Sequence, residues 1–81
     1  MTIPATGVRE AVVAIWTEIL GTEVTPDADF FLLGGHSLLA TRMIARVEQT
    51  LGVKVRLRDV FDHAELDDFV GLVTDLAAAQ P

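Results

Sequence analysis

The chain has 81 residues, a net charge of −6 and a hydrophobic share of 51%, which is typical of one small domain with a packed core. The acidic balance argues against nucleic-acid binding, which depends on Lys and Arg that neutralise phosphates. No apolar run approaches the roughly 20 residues needed to cross a bilayer, no secretory signal begins the chain, and no cysteine is present. We therefore expect a cytoplasmic protein that uses neither a membrane nor disulfide bonds.

The first periodic segment begins after Gly7. Its apolar residues recur at the spacing of one helical face, and Gly21 is placed to end the helix; they are Val8, Val12, Ile15, Trp16 and Ile19. Thr6 is the expected N-cap, and residues 1–6 are expected to form a flexible tail.

A long connection, 22–35, separates this helix from the next. Asp29 is predicted to cap a single turn through Leu33, which Gly34 closes. At least two of the four apolar residues 30–33 should enter the core, because all four are too apolar to lie together on the surface. Connections of this length are often functional.

The second helix is predicted from Ser37 to Leu51, with Gly52 as its C-cap. On a helical wheel one side gathers the predicted core residues Ala40, Met43, Ile44, Val47 and Leu51. The open side carries Leu38, Thr41, Arg42 and Ala45, together with Arg46 and Gln49. Ser37 lies at the border. Leu38 either meets partners there or is partly buried under the preceding loop.

Residues 53–57 alternate apolar and polar side chains, which we interpret as an extended linker with its apolar residues turned inward. A short helix from Arg58 to Asp62 should place Val60 and Phe61 inside. The last helix is predicted from its periodic core residues Leu66, Phe69, Val70, Val73 and Leu76. Asp62 and Glu65 have the spacing of a capping box before it.

These elements predict an all-α fold, a four-helix bundle of three longer helices and one short third helix. The domain is expected to span residues 7–77, with 78–81 as a tail or linker.

Ser37 invites an enzymatic interpretation that the sequence does not support. The stretch from Gly35 to Leu39 lacks the second glycine of a nucleophile elbow, and no orienting carboxylate is marked. Two histidines make no metal-ligand pattern, and the two glycines lack the lysine of a P-loop. We therefore predict no catalytic residue and no metal site. A phosphate on Ser37, by contrast, would meet the positive end of a helix. The alternative is that Ser37 is only an N-cap.

The segment Asp29-x-Phe31-x-x-Gly34-Gly35-His36-Ser37-Leu38 resembles the attachment motif of peptidyl carrier proteins, the thiolation domains of nonribosomal peptide synthetases. The resemblance extends from the helix of Trp16 to the last helix. It implies an acyl-carrier-protein-like, right-handed four-helix bundle.

The resemblance also implies a function. Ser37 would receive a covalent 4′-phosphopantetheine from coenzyme A, in a Mg²⁺-dependent reaction run by a phosphopantetheinyl transferase. The arm would hold aminoacyl or peptidyl thioesters between adenylation, condensation and thioesterase or other release domains. The chain would then be a monomeric carrier and no enzyme. Leu38, Thr41, Arg42 and Ala45 would form its docking face.

Two alternatives stay open. One is an acyl carrier of the fatty-acid or polyketide type, although His36 before the serine and two arginines on the second helix favour the peptide type. The other is a small helical interaction module in which Ser37 is only an N-cap.

Overall fold

A computed structural model describes residues 5–79 of the chain, and the side chains of residues 7–79. Four helices follow one another: α1 Ala5–Leu20, α2 Ser37–Leu51, α3 Leu57–Asp62 and α4 Leu66–Ala79. No strand forms in this range, where one isolated backbone bridge joins Asp29 to Glu65. The predicted all-α fold with a short third helix is confirmed. Among the described helices, none is long and apolar enough to cross a membrane.

The core lies between α1, α2 and α4. The fully buried large side chains come from all three helices and from the connections between them; they are Trp16, Phe30, Phe69, Met43 and Leu66, with several valines. Burying each such side chain stabilises the fold by about 1.5–3 kcal/mol. Because these positions recur at helical spacing, the sequence pattern placed most of them correctly.

The linker between α2 and α3 behaves as predicted. Gly52 takes a left-handed φ of 69° and ends α2, and its N–H donates to the carbonyl of Glu48. Val53 and Val55 are buried while Lys54 is exposed, so the alternating pattern reflects an inward-turned extended segment.

Three local predictions are wrong. Thr6 lies within α1, which begins at Ala5, so it does not cap that helix. Phe61 is 54% exposed instead of buried, since α3 begins at Leu57 and turns Val60 alone fully inward. Asp62 ends α3 and α4 begins only at Leu66, so no capping box links Asp62 with Glu65.

The N-termini of α3 and α4 are capped by other groups. At α3 the Asp59 carboxylate accepts from the N–H of Arg56 at 3.1 Å. At α4 the carbonyls of Ala28 and Pro26, in the long connection, accept from the first N–H groups of the helix, those of Leu66 and Asp67. Of the predicted tails, Met1–Pro4 and Gln80–Pro81 lie outside the described residues. The domain range 7–77 stays a prediction.

Candidate functional site

Asp29 fixes the turn that precedes α2. Its carboxylate accepts from the N–H of Phe31 at 2.8 Å and of Leu32 at 3.1 Å, and its carbonyl accepts from the N–H of Leu33. This is the single capped turn that the sequence predicted. Asp29 therefore caps this turn through both its side chain and its backbone.

Phe30 anchors the turn in the core. It is fully buried, and its ring lies edge-on to Trp16, with 5.2 Å between ring centroids. Phe31 is half-buried and packs edge-on to Phe30 at 5.4 Å, whereas Leu32 is 87% exposed. Of the four apolar residues, Phe30 enters the core completely and Phe31 packs against it, so two of them tie the loop down.

Gly34 and Gly35 are required for different reasons. Gly34 has a φ of 103°, a backbone conformation that side chains rarely adopt. Gly35 has an ordinary φ, but a Cβ there would overlap both the ring and the carbonyl of Phe30. The N–H of Gly35 donates to that carbonyl at 3.0 Å. The loop backbone therefore lies directly against the buried anchor.

His36 and Ser37 begin α2. His36 is the N-cap, with an extended backbone, and its Nδ1 accepts from the N–H of Leu39 at 3.5 Å. This hydrogen bond is long, so the cap is weak. Ser37 is the first helical residue and its side chain is exposed. The alternative that Ser37 is the N-cap of α2 is therefore wrong.

The N-terminus of α2 is left open. The N–H groups of Ser37 and Leu38 have no hydrogen-bond partner among the described residues, and the first turn contains no acidic side chain. Unpaired N–H groups and the helix dipole give this end a partial positive charge.

The predicted docking residues lie on one open face of α2. Leu38 is 59% exposed, and Thr41, Arg42 and Ala45 are exposed as well. The Thr41 hydroxyl donates to the carbonyl of Ser37 at 2.9 Å, so this face begins beside the serine.

Arg46, predicted on the same side, is instead paired with α1. Its guanidinium donates two hydrogen bonds to the Glu18 carboxylate, at 2.6 and 3.0 Å. These hydrogen bonds and the positive charge of Arg46 lower the pKa of Glu18, and the same hydrogen bonds and the negative charge of Glu18 raise the pKa of Arg46. Arg46 therefore links α2 to α1 at the surface.

Sequence reasoning missed one feature beside the loop. The exposed Phe61 of α3 stacks on Phe31 with parallel rings, 4.9 Å apart and at 4°. The two residues lie far apart in the chain, and no local pattern signals their contact.

The part of the chain that the structure describes shows no other chemistry-bearing cluster. It contains no group of three His, Asp or Glu side chains able to hold a metal ion, and no charged side chain is buried there.

Comparison with known proteins agrees with this arrangement. Residues 10–73 match the family model described as "Phosphopantetheine attachment site". Members of that family carry a covalently attached phosphopantetheine arm. Among curated proteins, a phosphinothricin tripeptide synthetase of Streptomyces viridochromogenes is 42% identical over 77 residues, which are 94% of this chain. That match is 6% of the relative's length, and the chain spans at most 6% of the eight curated relatives compared.

Solved structures extend the match to the whole domain. A structure described as a "Non Ribosomal PCP domain" is 38% identical, with a TM-score of 0.70, and the alignment covers 100% of this chain and 97% of that one. A type-II acyl-carrier-protein from Streptomyces verticillus is 28% identical, with a TM-score of 0.81 over 88% of this chain and 87% of that one. The chain therefore belongs to the phosphopantetheine-attachment family and, within it, to the peptidyl carrier domains of nonribosomal peptide synthesis.

Proposed function

We propose that Ser37 is the residue to which this carrier's arm is attached, by transfer from coenzyme A in a Mg²⁺-dependent reaction of a separate phosphopantetheinyl transferase. The observation that supports this proposal most directly is the exposed hydroxyl of Ser37 at the open N-terminus of α2. Ser37 is also the only serine in the chain. The Ser37 Oγ would bond to the phosphorus of the arm, with loss of its proton and departure of adenosine 3′,5′-bisphosphate.

The residues around Ser37 fit a phosphodiester. Two unpaired N–H groups, those of Ser37 and Leu38, lie at the positive end of the helix. No carboxylate of the first turn opposes a negative charge there. Asp29, the nearest acidic residue in the preceding loop, has its carboxylate engaged by two backbone N–H groups.

When bound, the arm supplies a thiol that holds an aminoacyl or peptidyl group as a thioester. The chain's own residues present this group to adenylation, condensation and thioesterase or other release domains. Phe30, Gly34 and Gly35 fix the loop, and Ser37 is held where solvent and partners reach it. In this proposal the chain performs no catalysis itself.

The docking surface we propose is Leu38, Thr41, Arg42 and Ala45. Their shared exposure beside Ser37 supports it. The variants Leu38→Arg and Thr41→Arg should lower the rates of both arm attachment and condensation, because a bulky cation would separate the two surfaces. Unchanged rates of both would exclude these residues from docking.

Intact mass after incubation with coenzyme A and a broad-specificity transferase tests the attachment. The wild-type chain should gain one phosphopantetheine and Ser37→Ala none. Thr50→Ala, which removes an exposed hydroxyl elsewhere on α2, is the matched control and should be modified like the wild type. A wild-type chain that gains no adduct would refute the proposal.

The alternative of a fatty-acid or polyketide carrier predicts the same acyl-carrier-protein-like fold, so the fold does not separate the two types. The higher identity to the nonribosomal domain, His36 before Ser37 and Arg42 on α2 support the peptide type. The monomeric state and the cytoplasmic location remain predictions from the sequence.

A further inference from the structure

A groove lies beside the last turn of α2, at the opposite end of that helix from Ser37. Its walls come from α2, from the extended linker before α3, from α3 itself and from α4, and its volume is about 630 Å³. Glu48, the lining residue on α2, follows Ser37 by eleven residues. That separation corresponds to about 16 Å along the helix axis. The groove is therefore distinct from the attachment site, and none of the docking residues proposed above lines it.

The floor of the groove is apolar. Leu72 and Leu76 lie one turn apart on α4, and both are half-buried. The buried Val55 of the linker completes the floor. Residues four apart on a helix form a ridge against which the side chains of a second helix can pack. This floor therefore suits apolar side chains that are themselves spaced one helical turn apart.

Two cations stand on the linker side of the groove. Lys54 and Arg56 are both exposed, and in an extended segment residues two apart direct their side chains to the same side. Neither makes an ion pair among the described residues, although twelve Asp and Glu outnumber six Lys and Arg in this chain. Two neighbouring positive charges therefore remain available to the carboxylates of a partner.

The two acidic residues of the groove differ in their surroundings. The carboxylate of Asp59 accepts from the N–H of Arg56 at 3.1 Å, so it already serves the start of α3. Glu48 is exposed and makes no ion pair in the described part of the chain. An acidic occupant must therefore place its carboxylates on the linker side, away from Glu48, and this arrangement of charge fixes its orientation.

We propose that an acidic amphipathic helix of a neighbouring synthetase domain docks in this groove, with its apolar side chains on Leu72 and Leu76 and its carboxylates facing Lys54 and Arg56. An amphipathic helix laid in a groove is a common mode of protein recognition. In the phosphinothricin tripeptide synthetase the matched segment is 6% of the protein, so the carrier region of that relative has extensive neighbours. A helix bound here leaves Ser37 accessible, and the inference does not depend on attachment at Ser37.

Titration of the isotope-labelled chain with a synthetic peptide, followed by NMR, tests the proposal. The peptide is an amphipathic helix with leucines one turn apart and glutamates beside them, and a comparison peptide has lysine in place of each glutamate. The acidic peptide should cause saturable shifts of the amide signals of Val55, Leu72 and Leu76. The basic peptide should bind at least about fivefold more weakly, because its charges meet Lys54 and Arg56.

Charge variants assign the binding to the groove. Lys54→Glu should raise the Kd of the acidic peptide about fivefold, since an attraction becomes a repulsion. Glu48→Lys should lower that Kd about threefold, a gain that misfolding does not produce. Arg58→Glu is the matched control, the same change of charge on an exposed side chain of α3 outside the groove. At physiological salt it should leave the Kd within about twofold, because screening limits its reach.

Three results would each overturn the proposal: no saturable shifts in the groove, equal binding of the two peptides, or equal effects of Lys54→Glu and Arg58→Glu. Groove signals that shift with protein concentration when no peptide is present, together with a dimer in sedimentation analysis, would overturn it in favour of a second copy of this chain. The titration uses the chain before any modification of Ser37, so its failure and a failure of arm attachment are observed separately.

Discussion

The long connection before α2 leads into the N-terminus of α2 and also contacts the N-terminus of α4, but the N–H groups of the two helix ends are satisfied differently. At α4 the carbonyls of Ala28 and Pro26 accept from the first N–H groups, and Asp67 and Asp68 place negative charge on the first turn. At α2 the cap is one hydrogen bond of 3.5 Å, and the first turn carries no acidic residue.

This contrast is what the proposed attachment at Ser37 would require. An N-terminus whose donors and dipole are satisfied internally stabilises the fold but has nothing left for a ligand. The N-terminus of α2 lacks part of that stabilisation, and two of its N–H groups stay unpaired among the described residues; in the proposed function they would face the phosphate on Ser37. The following predictions test whether the two ends differ in this way.

Truncation of Phe30, whose backbone hydrogen-bonds to the segments before both α2 and α4, should lower the stability of the fold most. Phe30 fills the core beside Trp16, and its N–H donates to the carbonyl of Ala64 before α4. Phe30→Ala should lower the free energy of unfolding by about 3–5 kcal/mol, because it leaves a cavity and releases the loop. Urea denaturation followed by the fluorescence of Trp16, the only tryptophan, measures this.

The matched comparison is Phe61→Ala, which truncates the half-exposed member of the same aromatic series. It should cost about 1 kcal/mol or less, in line with one aromatic contact near the surface. Equal losses for both variants would show that Phe30 does not anchor the loop.

Gly35→Ala should have the next largest effect. The added Cβ would overlap the ring and carbonyl of Phe30, so the loop must move away from its anchor. We expect a loss of about 1–3 kcal/mol in unfolding free energy and slower arm attachment at Ser37. Thermal unfolding and intact-mass kinetics measure the two effects.

Gly71→Ala is its control. A Cβ at Gly71, within α4, meets no atom within 4 Å. This substitution should raise the unfolding free energy by about 0.5–1 kcal/mol, because alanine favours helix. If Gly35→Ala behaved in the same way, close packing on Phe30 would not explain the second glycine of the motif.

A stronger cap on α2 should make its N-terminus more like that of α4, whose first N–H groups are hydrogen-bonded. His36→Asp should raise the unfolding free energy of the unmodified chain by about 0.5–1 kcal/mol, since a carboxylate accepts N-terminal N–H groups better than a distant imidazole nitrogen. In the chain carrying the arm the gain should be smaller, because the carboxylate and the phosphate repel each other. Thermal unfolding of both forms gives the difference, and an equal gain in both would mean that the phosphate does not use this helix end.

The smallest effect on stability is expected for the ion pair of Arg46 and Glu18, which links α2 to α1 away from Ser37. Arg46 lowers the folded-state pKa of Glu18 below the ordinary value of a glutamate. The pair therefore stabilises the fold fully above that ordinary pKa, and this stabilisation is lost as the pH falls through the folded pKa. Arg46→Met should raise the pKa of Glu18 in an NMR titration and leave arm attachment unchanged. An unchanged Glu18 pKa would show that the pair is absent in solution.

The sequence predicted the helices of this fold well because each contains enough periodic apolar residues to define its buried face. Trp16, Met43 and Phe69 all lie where their spacing places them. It failed where only a few residues set the pattern, as in the six-residue α3, whose register could not reveal that Phe61 points outward.

The sequence by itself determined the parts of the site that depend on local chemistry: a turn capped by Asp29, glycines before a helix, and a lone serine at its start. Its motif also carried the resemblance that points to an arm on Ser37. Only the tertiary structure decided which helix end stays open, why Gly35 has no side chain, and that Phe61 meets Phe31. Each of these depends on atoms from segments distant in the chain, namely the loop carbonyls that cap α4 and the ring that fills the space beside Gly35. The Asp29 turn and the helical periodicity depend on adjacent residues and can be predicted from them, whereas the capping of α4 and the packing between segments are settled only when the whole core forms.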